Sequence, residues 1–215
     1  MFDDWLAQRG MTAGPDAIRV LLGELSDTFF DINLRMFRLG MLAEVHGQNA
    51  VLVFREGRCE GLLLRDHDSL RINVARLERH GMQDPCYCIK PGHANTLYHD
   101  SLEALLFWLQ TLAIQVNLRA IIETLAEHYA LPVRDLWREV AARLAARIEA
   151  IPFDDHDREM LKEALFERHN GLTSASSRRS SSAPGGRAAC PSVPARPAIR
   201  SSAQACRMWP CQPRR

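Results

Sequence analysis

Residues 44–54 of the chain, EVHGQNAVLVF, decide how its fold is interpreted. The first half carries three polar side chains, Glu44, His46 and Asn49, around Gly47, and the second half is an apolar run. The stretch therefore joins a predicted helix to a predicted strand. Such a junction is either an ordinary turn or a binding site. In an ordinary turn, Gly47 ends the helix while His46 and Asn49 bond to unpaired backbone groups.

The segment before this stretch predicts a long buried helix. Pro15 suits a first helical turn, and apolar residues follow at close to a 3.6-residue period as far as Leu42. The segment is too apolar for a surface helix, so we expect it to be buried on more than one face. Either Gly40 or Gly47 would end it.

The segment after the stretch predicts a β-hairpin. Residues 50–54 and 61–64 form two short apolar runs, and residues 55–58 between them, REGR, contain the glycine that a tight turn needs. In an antiparallel pair the start of one strand lies beside the end of its partner. We therefore expect the hairpin to return Asp66 towards His46 and Asn49.

The polar residues at this end of the hairpin are of the kind that binds magnesium and phosphate. Glu44, Asn49 and Asp66 would converge as hard oxygen donors, which Mg²⁺ takes together with water and phosphate oxygens. His46 would donate a hydrogen bond to a phosphate or a carboxylate. Zinc would require cysteines or several histidines at set spacings, and the sequence shows no such pattern. The cluster therefore favours ATP chemistry over a zinc site.

The rest of the first 171 residues is predicted to be mainly helical, so the fold class is α+β with a small antiparallel hairpin flanked by long helices. Asn117 lies within the apolar helix predicted to end at Tyr129, where it has either a structural or a ligand-binding role. Trp108 of the same helix is predicted to belong to the core. The further segments are a capped helix from Asp68 or Ser69 to residues 80–81, a loop over 84–95, a helix from a capping box at 100–103 to Tyr129, a helix from Pro132 to about Ile151, and a short helix over 154–169.

Residues 172–215 differ in composition from residues 1–171. They contain eight arginines but no lysine, aspartate or glutamate, and serine, alanine, proline and glycine dominate. Such a segment lacks the apolar periodicity needed for a core and is predicted to be a disordered, low-complexity tail. Arginine without lysine is also typical of a shifted reading frame in GC-rich DNA, so we hypothesise a frameshift origin. The alternatives are an ordinary disordered tail and a basic, Ser-rich interaction or phosphorylation arm.

Charge and hydropathy restrict the class of protein. With the tail set aside, 19 basic residues face 26 acidic ones, and an acidic body argues against general nucleic-acid binding. The sequence has no run of 18 apolar residues, and its N-terminus, MFDDWLAQRG, lacks the apolar region of a signal peptide. The six cysteines form no CxxC pair. We therefore expect a cytoplasmic protein with reduced thiols and no membrane partner.

Two runs resemble one protein family. Residues 34–72, LRMFRLGMLAEVHGQNAVLVFREGRCEGLLLRDHDSLRI, and residues 109–121, LQTLAIQVNLRAI, are similar to the C-terminal region of the siderophore synthetases that work independently of non-ribosomal peptide synthetases, the aerobactin synthetase family. The matching features are the HGQN block, the apolar strand after it and the Arg-Asp that follows the second strand. The resemblance spans roughly residues 1–171.

The resemblance implies an ATP- and Mg²⁺-dependent ligase of siderophore biosynthesis. Such enzymes adenylate a carboxylate of citrate or a related polycarboxylic acid, and an amine, hydroxylamine or alcohol then attacks the acyl-adenylate. By this resemblance, His46 would be the catalytic residue that contacts the substrate carboxylate or an ATP phosphate. Gln48 and Asn49 would belong to the ATP site, and Glu44, Asn49 and Asp66 to the metal site.

Two basic residues are weaker candidates for ATP or substrate binding. Arg65, at the end of the second strand, would hold a phosphate, although a basic residue in this place is more often solvated or paired. Lys90, in the Ile-Lys-Pro-Gly loop, would face the substrate, or it is an exposed loop lysine. The family also suggests a homodimer.

The chain departs from the family in length. Members are several times longer than residues 1–171 and form a three-part, hand-like fold, of which this chain would supply the C-terminal, palm-like part. No glycine-rich phosphate loop is present. We therefore expect a partial synthetase that is catalytically incompetent by itself.

Two alternatives to the synthetase remain. One is a ferric-siderophore reductase of the FhuF-like type, which holds a [2Fe–2S] cluster on four cysteines. The spacing of Cys86 and Cys88 and of the tail cysteines does not match that arrangement. The other is an inactive, truncated remnant.

Overall fold

The computed structural model describes residues 1–66, 70–89, 92 and 94–167, and this part of the chain is mainly helical. The described helices include two π-helical segments, Leu109–Leu118 and Glu163–Glu167. The predicted α+β class is therefore confirmed. In chain order the elements are α1 Phe2–Gln8, α2 Pro15–Arg38, β1 Met41–Leu42, β2 Ala50–Arg55, β3 Arg58–Leu64, β4 Arg71–Ile72, α3 Val74–Arg79, α4 Leu102–Trp108, α5 Arg119–His128, α6 Val133–Ala150 and α7 Asp155–Lys162.

Helix α2 lies at the centre of the core. Its neighbouring pairs Leu21–Leu22 and Phe29–Phe30 are all buried, which places apolar side chains over much more than one narrow stripe. Helix α6 packs along it, and Asp27 of α2 accepts hydrogen bonds from Arg143 and Arg147 of α6 at 2.9 and 3.1 Å. The predicted burial on more than one face is confirmed.

Gly40, and not Gly47, ends helix α2. Its φ is +86°, and its N–H donates to the carbonyl of Phe37 at 2.8 Å. A Cβ at this position would lie 2.6 Å from the Cβ of Arg76, so close packing also requires glycine. Strand β1 follows directly, which separates the EVHGQN stretch from the helix by a short extended segment.

Strands β2 and β3 form the predicted hairpin, with β3 three residues longer at its start than its apolar run suggested. Ala50 pairs with Leu64, and Arg55 pairs with Arg58 across a two-residue turn. Both turn residues have positive φ, 49° at Glu56 and 72° at Gly57, as a type I′ turn requires. The hairpin is held against the helices, because Trp5 Nε1 donates to Gly57 O at 2.7 Å.

The helix predicted to start at Asp68 or Ser69 begins later, at Val74. Residues 67–69 lie outside the described part of the chain, and Arg71–Ile72 form β4, which pairs antiparallel with β1. Asn73 is the N-cap of α3, and its Oδ1 accepts from Arg76 N at 2.9 Å. Pairing with a distant strand therefore overrides the local helix signal.

The long apolar helix over residues 102–128 is confirmed, but its cap is shifted by one residue from the predicted box. Ser101 is the N-cap and accepts from Ala104 N at 3.2 Å. By length and composition alone, Leu102–His128 would also suffice to cross a membrane. Its inward face lies in the core of the described fold, where Leu105, Leu109, Leu118 and Ile122 are buried.

The last two predicted helices are confirmed within the described residues. Pro132 caps α6, which ends at Ala150. Asp154 is the N-cap of α7 and accepts from Asp157 N at 2.8 Å. The predicted tail, residues 172–215, lies outside the described part of the chain, so its disorder and frameshift origin stay predictions.

Candidate functional site

A short loop between β1 and β2 carries the polar motif. Val45 is fully buried and anchors the loop, while Glu44 and His46 on either side of it are partly exposed. The N–H groups of Asn49 and Ala50 both donate to His46 O, at 2.9 and 3.2 Å, so residues 46–49 form a turn. Because the buried valine fixes the loop, its polar side chains are held in a defined arrangement.

Asn117 fastens this loop from the facing π-helical segment. Its Nδ2 donates to Val45 O at 3.4 Å. Asn117 therefore has the structural role that the sequence left open beside a ligand role. A π-helical turn widens the helix locally and often accompanies functional sites.

His46, Gln48 and Asn49 are brought together within the turn. Gln48 N lies 3.3 Å from His46 Nδ1, and Asn49 Nδ2 lies 3.3 Å from His46 Nε2. Asn49 is 5% exposed, whereas Gln48 is exposed. A neutral imidazole has one donor and one acceptor nitrogen, so the tautomer of His46 and the amide orientation of Asn49 depend on each other.

The hairpin returns the chain to this turn, as its register requires. Arg65 N donates to Asn49 O at 2.9 Å, one residue beyond the Ala50–Leu64 pair. Asp66 follows with a φ of +55°, and both Arg65 and Asp66 are exposed. Lys90, the other candidate in this group, lies outside the described residues.

Glu44 forms an ion pair with Arg71, a partner that the sequence did not suggest. Its Oε1 accepts from Nη2 of Arg71 in β4 at 3.2 Å. The side chain of Arg71 is 6% exposed, and that of Glu44 is 28% exposed. The only local signal was the position of Arg71 between the apolar residues Leu70 and Ile72, which is typical of a buried strand.

Arg71 in turn contacts aromatic side chains. Its guanidinium carbon lies 4.0 Å from the ring centroid of Trp108, a cation–π distance, and the rings of Trp108 and His99 are 6.3 Å apart. Burial lowers the pKa of His99, the carbonyl of Thr96 raises it, and the charge of Arg71 lowers it further. Trp108 packs against the core, as predicted, and its ring also contacts Arg71.

The loop carries oxygen donors of the kind that magnesium takes, a carboxylate at Glu44 and an amide at Asn49. Among the described residues no three His, Cys, Asp or Glu side chains come together as a metal site. Mg²⁺ does not need such a cage, because it is usually bound by one or two carboxylates together with water and phosphate. Oε2 of Glu44 has no hydrogen-bond partner among the described residues, and the amide of Asn49, five residues further on, contacts His46.

A second concave feature lies between α1 and α5. The cleft has a volume of about 410 Å³ and a mostly apolar lining that includes Ile121 and Leu125. At its rim Tyr129 donates to Asp3 at 2.6 Å, and His128 lies 3.2 Å from the same carboxylate. Burial and the hydrogen bond to Asp3 raise the pKa of Tyr129 to about 12. None of the six loop and hairpin candidates from Glu44 to Asp66 lines this cleft.

Comparison with protein families gives a match over most of the described chain. The model described as "Ferric iron reductase FhuF-like transporter" matches residues 34–178. The matched segment starts within α2 and includes the EVHGQN loop, the hairpin and the helices after it.

Known proteins that resemble the chain include the following three. Staphyloferrin B synthase of Staphylococcus aureus is 30% identical over 151 residues, which cover 70% of this chain and 26% of the relative. The petrobactin biosynthesis protein AsbB of Bacillus anthracis matches 77% of this chain and 28% of its own, with a TM-score of 0.58 and 20% identity. The aerobactin synthetase IucC of Klebsiella pneumoniae matches the same shares at a TM-score of 0.54 and 19% identity. The chain thus spans about a quarter of each, and the two structures establish the fold alone.

Proposed function

Because this chain belongs to the FhuF-like family and has the fold of the siderophore synthetases, we propose that it forms the C-terminal part of the active site of such a synthetase. The proposed reaction is siderophore biosynthesis by an ATP-dependent ligase. A citrate-type carboxylate would attack the α-phosphate of ATP, releasing pyrophosphate and forming an acyl-adenylate. An amine, hydroxylamine or alcohol would then displace AMP to give an amide or ester.

The observation that carries this proposal is the closure of the hairpin onto the EVHGQN turn. The hydrogen bond from Arg65 N to Asn49 O places the strand-end Arg65–Asp66 pair beside the turn that holds His46. A carboxylate, an amide and an imidazole therefore lie at one end of a two-stranded sheet, on a loop that Val45 anchors in the core.

Each residue of this group has a proposed role. Gln48 and Arg65, which are exposed, would bind phosphate oxygens, and His46 would donate to the substrate carboxylate or to a phosphate. Glu44, Asn49 and Asp66 would hold Mg²⁺, which would offset the phosphate charge when bound. Donors fixed in this way stabilise negative charge that builds at the α-phosphate, because they need no reorganisation during the reaction.

Titration calorimetry of the 215-residue chain with Mg·ATP, and separately with citrate, tests this proposal. We expect Mg·ATP binding that is lost in His46→Ala and in Asp66→Ala. His80→Ala and Asp16→Ala serve as controls, because both side chains are exposed and lie on other elements. Equal binding by all five proteins, or none by a folded wild-type chain, would contradict the proposed site.

The proposal extends to assembly and location. We propose that the chain acts in the cytoplasm, where ATP is supplied, and that it forms a homodimer. Sedimentation velocity measures the second point directly, and a single monomeric species at high protein concentration would refute it.

The match to the ferric iron reductase FhuF-like family model favours a second candidate function, a ferric-siderophore reductase. A [2Fe–2S] cluster needs four cysteines. The described residues contain three, of which Cys59 is buried while Cys86 and Cys88 are exposed. A fourth ligand would have to come from the cysteines of residues 190–211, outside the described part. A brown, visibly absorbing protein after anaerobic purification would support the reductase, and a colourless one the synthetase.

A further inference from the structure

Arg71 is a desolvated cation whose ion pairing depends on one carboxylate. Its side chain is 6% exposed, and among the described residues its guanidinium forms a single hydrogen bond, to Glu44. Nε and Nη1 are buried without a hydrogen-bond partner there. A buried charge is costly unless it is paired, so the contact with Glu44 constrains both side chains.

The position of Arg71 is fixed from two directions. Its backbone is paired with Leu42 in the β1–β4 ladder, two residues before Glu44. Its guanidinium lies over Trp108 at 4.0 Å. The adjacent His99 is held by backbone bonds, since its N–H donates to Ile72 O at 2.8 Å. The guanidinium is therefore held in a fixed position next to the carboxylate of Glu44.

We propose that Arg71 is a positioning residue that orients the carboxylate of Glu44 for the bound metal. The inference rests on the proposed function. Arg71 donates to Oε1 of Glu44. Oε2 has no hydrogen-bond partner among the described residues and is therefore left for the cation. Residues that orient a metal ligand through its second atom typically change metal affinity 10- to 100-fold when they are removed.

Two effects of Arg71 oppose each other, and their balance gives the sign of the prediction. Its positive charge repels a bare cation and competes with it for Glu44. The complex of Mg²⁺ with ATP is anionic, however, so a fixed positive charge nearby does not repel the complex as a whole. Because Arg71 contacts one oxygen of Glu44 only, we expect orientation to outweigh competition and loss of Arg71 to weaken binding of Mg·ATP.

The test is a double-mutant cycle on the 215-residue chain, measured by titration calorimetry with ATP in the presence of Mg²⁺ and in the presence of EDTA. The variants are Arg71→Gln, Arg71→Lys, Glu44→Gln and the double variant Arg71→Gln/Glu44→Gln. Arg119→Gln is the control, since Arg119 forms an exposed pair with Glu123 on α5 at 2.9 Å. Circular dichroism verifies folding, and Arg71→Lys keeps the charge if Arg71→Gln does not fold.

We expect Arg71→Gln to weaken Mg·ATP binding about 10- to 100-fold, and Arg71→Lys to weaken it less. Binding of ATP in EDTA should be the same as in the wild type, and Arg71→Gln should add nothing in the Glu44→Gln background. An unchanged or tighter Mg·ATP affinity in both Arg71 variants overturns the inference. So does a loss that persists without Glu44 or without Mg²⁺. If the folded wild-type chain itself binds no Mg·ATP, the proposed function fails together with the inference.

Discussion

At the scale of single residues, the position of the ring proton on His46 determines which atom of the Asn49 amide is free to bind a ligand. With the hydrogen on Nδ1, His46 Nε2 accepts from Asn49 Nδ2, and the amide oxygen of Asn49 remains for a cation. With the hydrogen on Nε2, Nδ1 accepts from Gln48 N, and Asn49 turns its NH₂ group outward. An amide oxygen of Asn49 left free for a metal therefore goes with the Nδ1–H tautomer, which gives up the hydrogen bond from Gln48 N to His46 Nδ1.

The pH dependence of stability is expected to report on His99. Burial lowers its pKa below the ordinary 6.5, opposed by Thr96 and assisted by Arg71. The folded chain then binds this proton more weakly than the unfolded chain, so protonation favours unfolding. The contribution of His99 to the free energy of unfolding is present above pH 6.5 and is lost as the pH falls through the window below it.

Urea unfolding of wild type and His99→Gln at about pH 8 and about pH 5.5 measures this contribution. The wild type should lose more stability between the two conditions than the variant does. An equal loss in both proteins would mean that His99 has the same pKa in the folded and unfolded chain.

At the scale of elements, the end of α2 determines where the candidate site lies. Gly40 turns the chain out of the helix at φ +86° and against Arg76, so that β1 can pair with β4. Arg76 in turn donates to Arg38 O at 3.1 Å and pairs with the buried Asp157 of α7. Arg76 therefore links the end of α2 to α7.

Gly40→Ala is expected to destabilise the chain by about 2 kcal/mol or more. An L-residue in the left-handed region costs about 1–2 kcal/mol, and the Cβ would in addition collide with Arg76 at 2.6 Å. Gly47→Ala is the matched control, since no atom lies within 4 Å of its Cβ position, and should change stability by less than about 0.5 kcal/mol. Chemical denaturation of both variants measures the difference, and equal effects would contradict this account of the helix end.

At the scale of the whole molecule, the chain spans about a quarter of the length of the relatives that it matches. It matches 26% of staphyloferrin B synthase and 28% of AsbB. The candidate residues form one end of a hairpin, and a synthetase must also hold the adenine, the acid and the nucleophile. We propose that those groups are bound largely by segments that this chain does not match.

The 215-residue chain is accordingly expected to release no pyrophosphate from ATP and citrate above the uncatalysed background, even if it binds Mg·ATP. A coupled pyrophosphate assay with and without citrate measures this. A citrate-dependent rate that disappears in His46→Ala would show that the chain is a competent enzyme by itself.

The sequence pattern was enough to predict the elements that depend on neighbouring residues only. The period of α2, the Glu56–Gly57 turn and the register that brings Arg65 beside Asn49 all follow from side-chain alternation and turn chemistry, so the hairpin end of the site could be predicted. The resemblance to the synthetases, also apparent in the sequence, is confirmed. The metal, ATP and substrate roles of individual residues stay predictions.

Only the tertiary structure decided which partners the polar side chains have. Arg71 and Glu44 are 27 residues apart, and Trp108 comes from a helix further along the chain. Pairing of β4 with β1 also moved the start of α3 to Val74. Local propensity does not encode such contacts, because they form only when several segments are buried against one core. Once the guanidinium of Arg71 is buried, its charge must be paired with a nearby carboxylate.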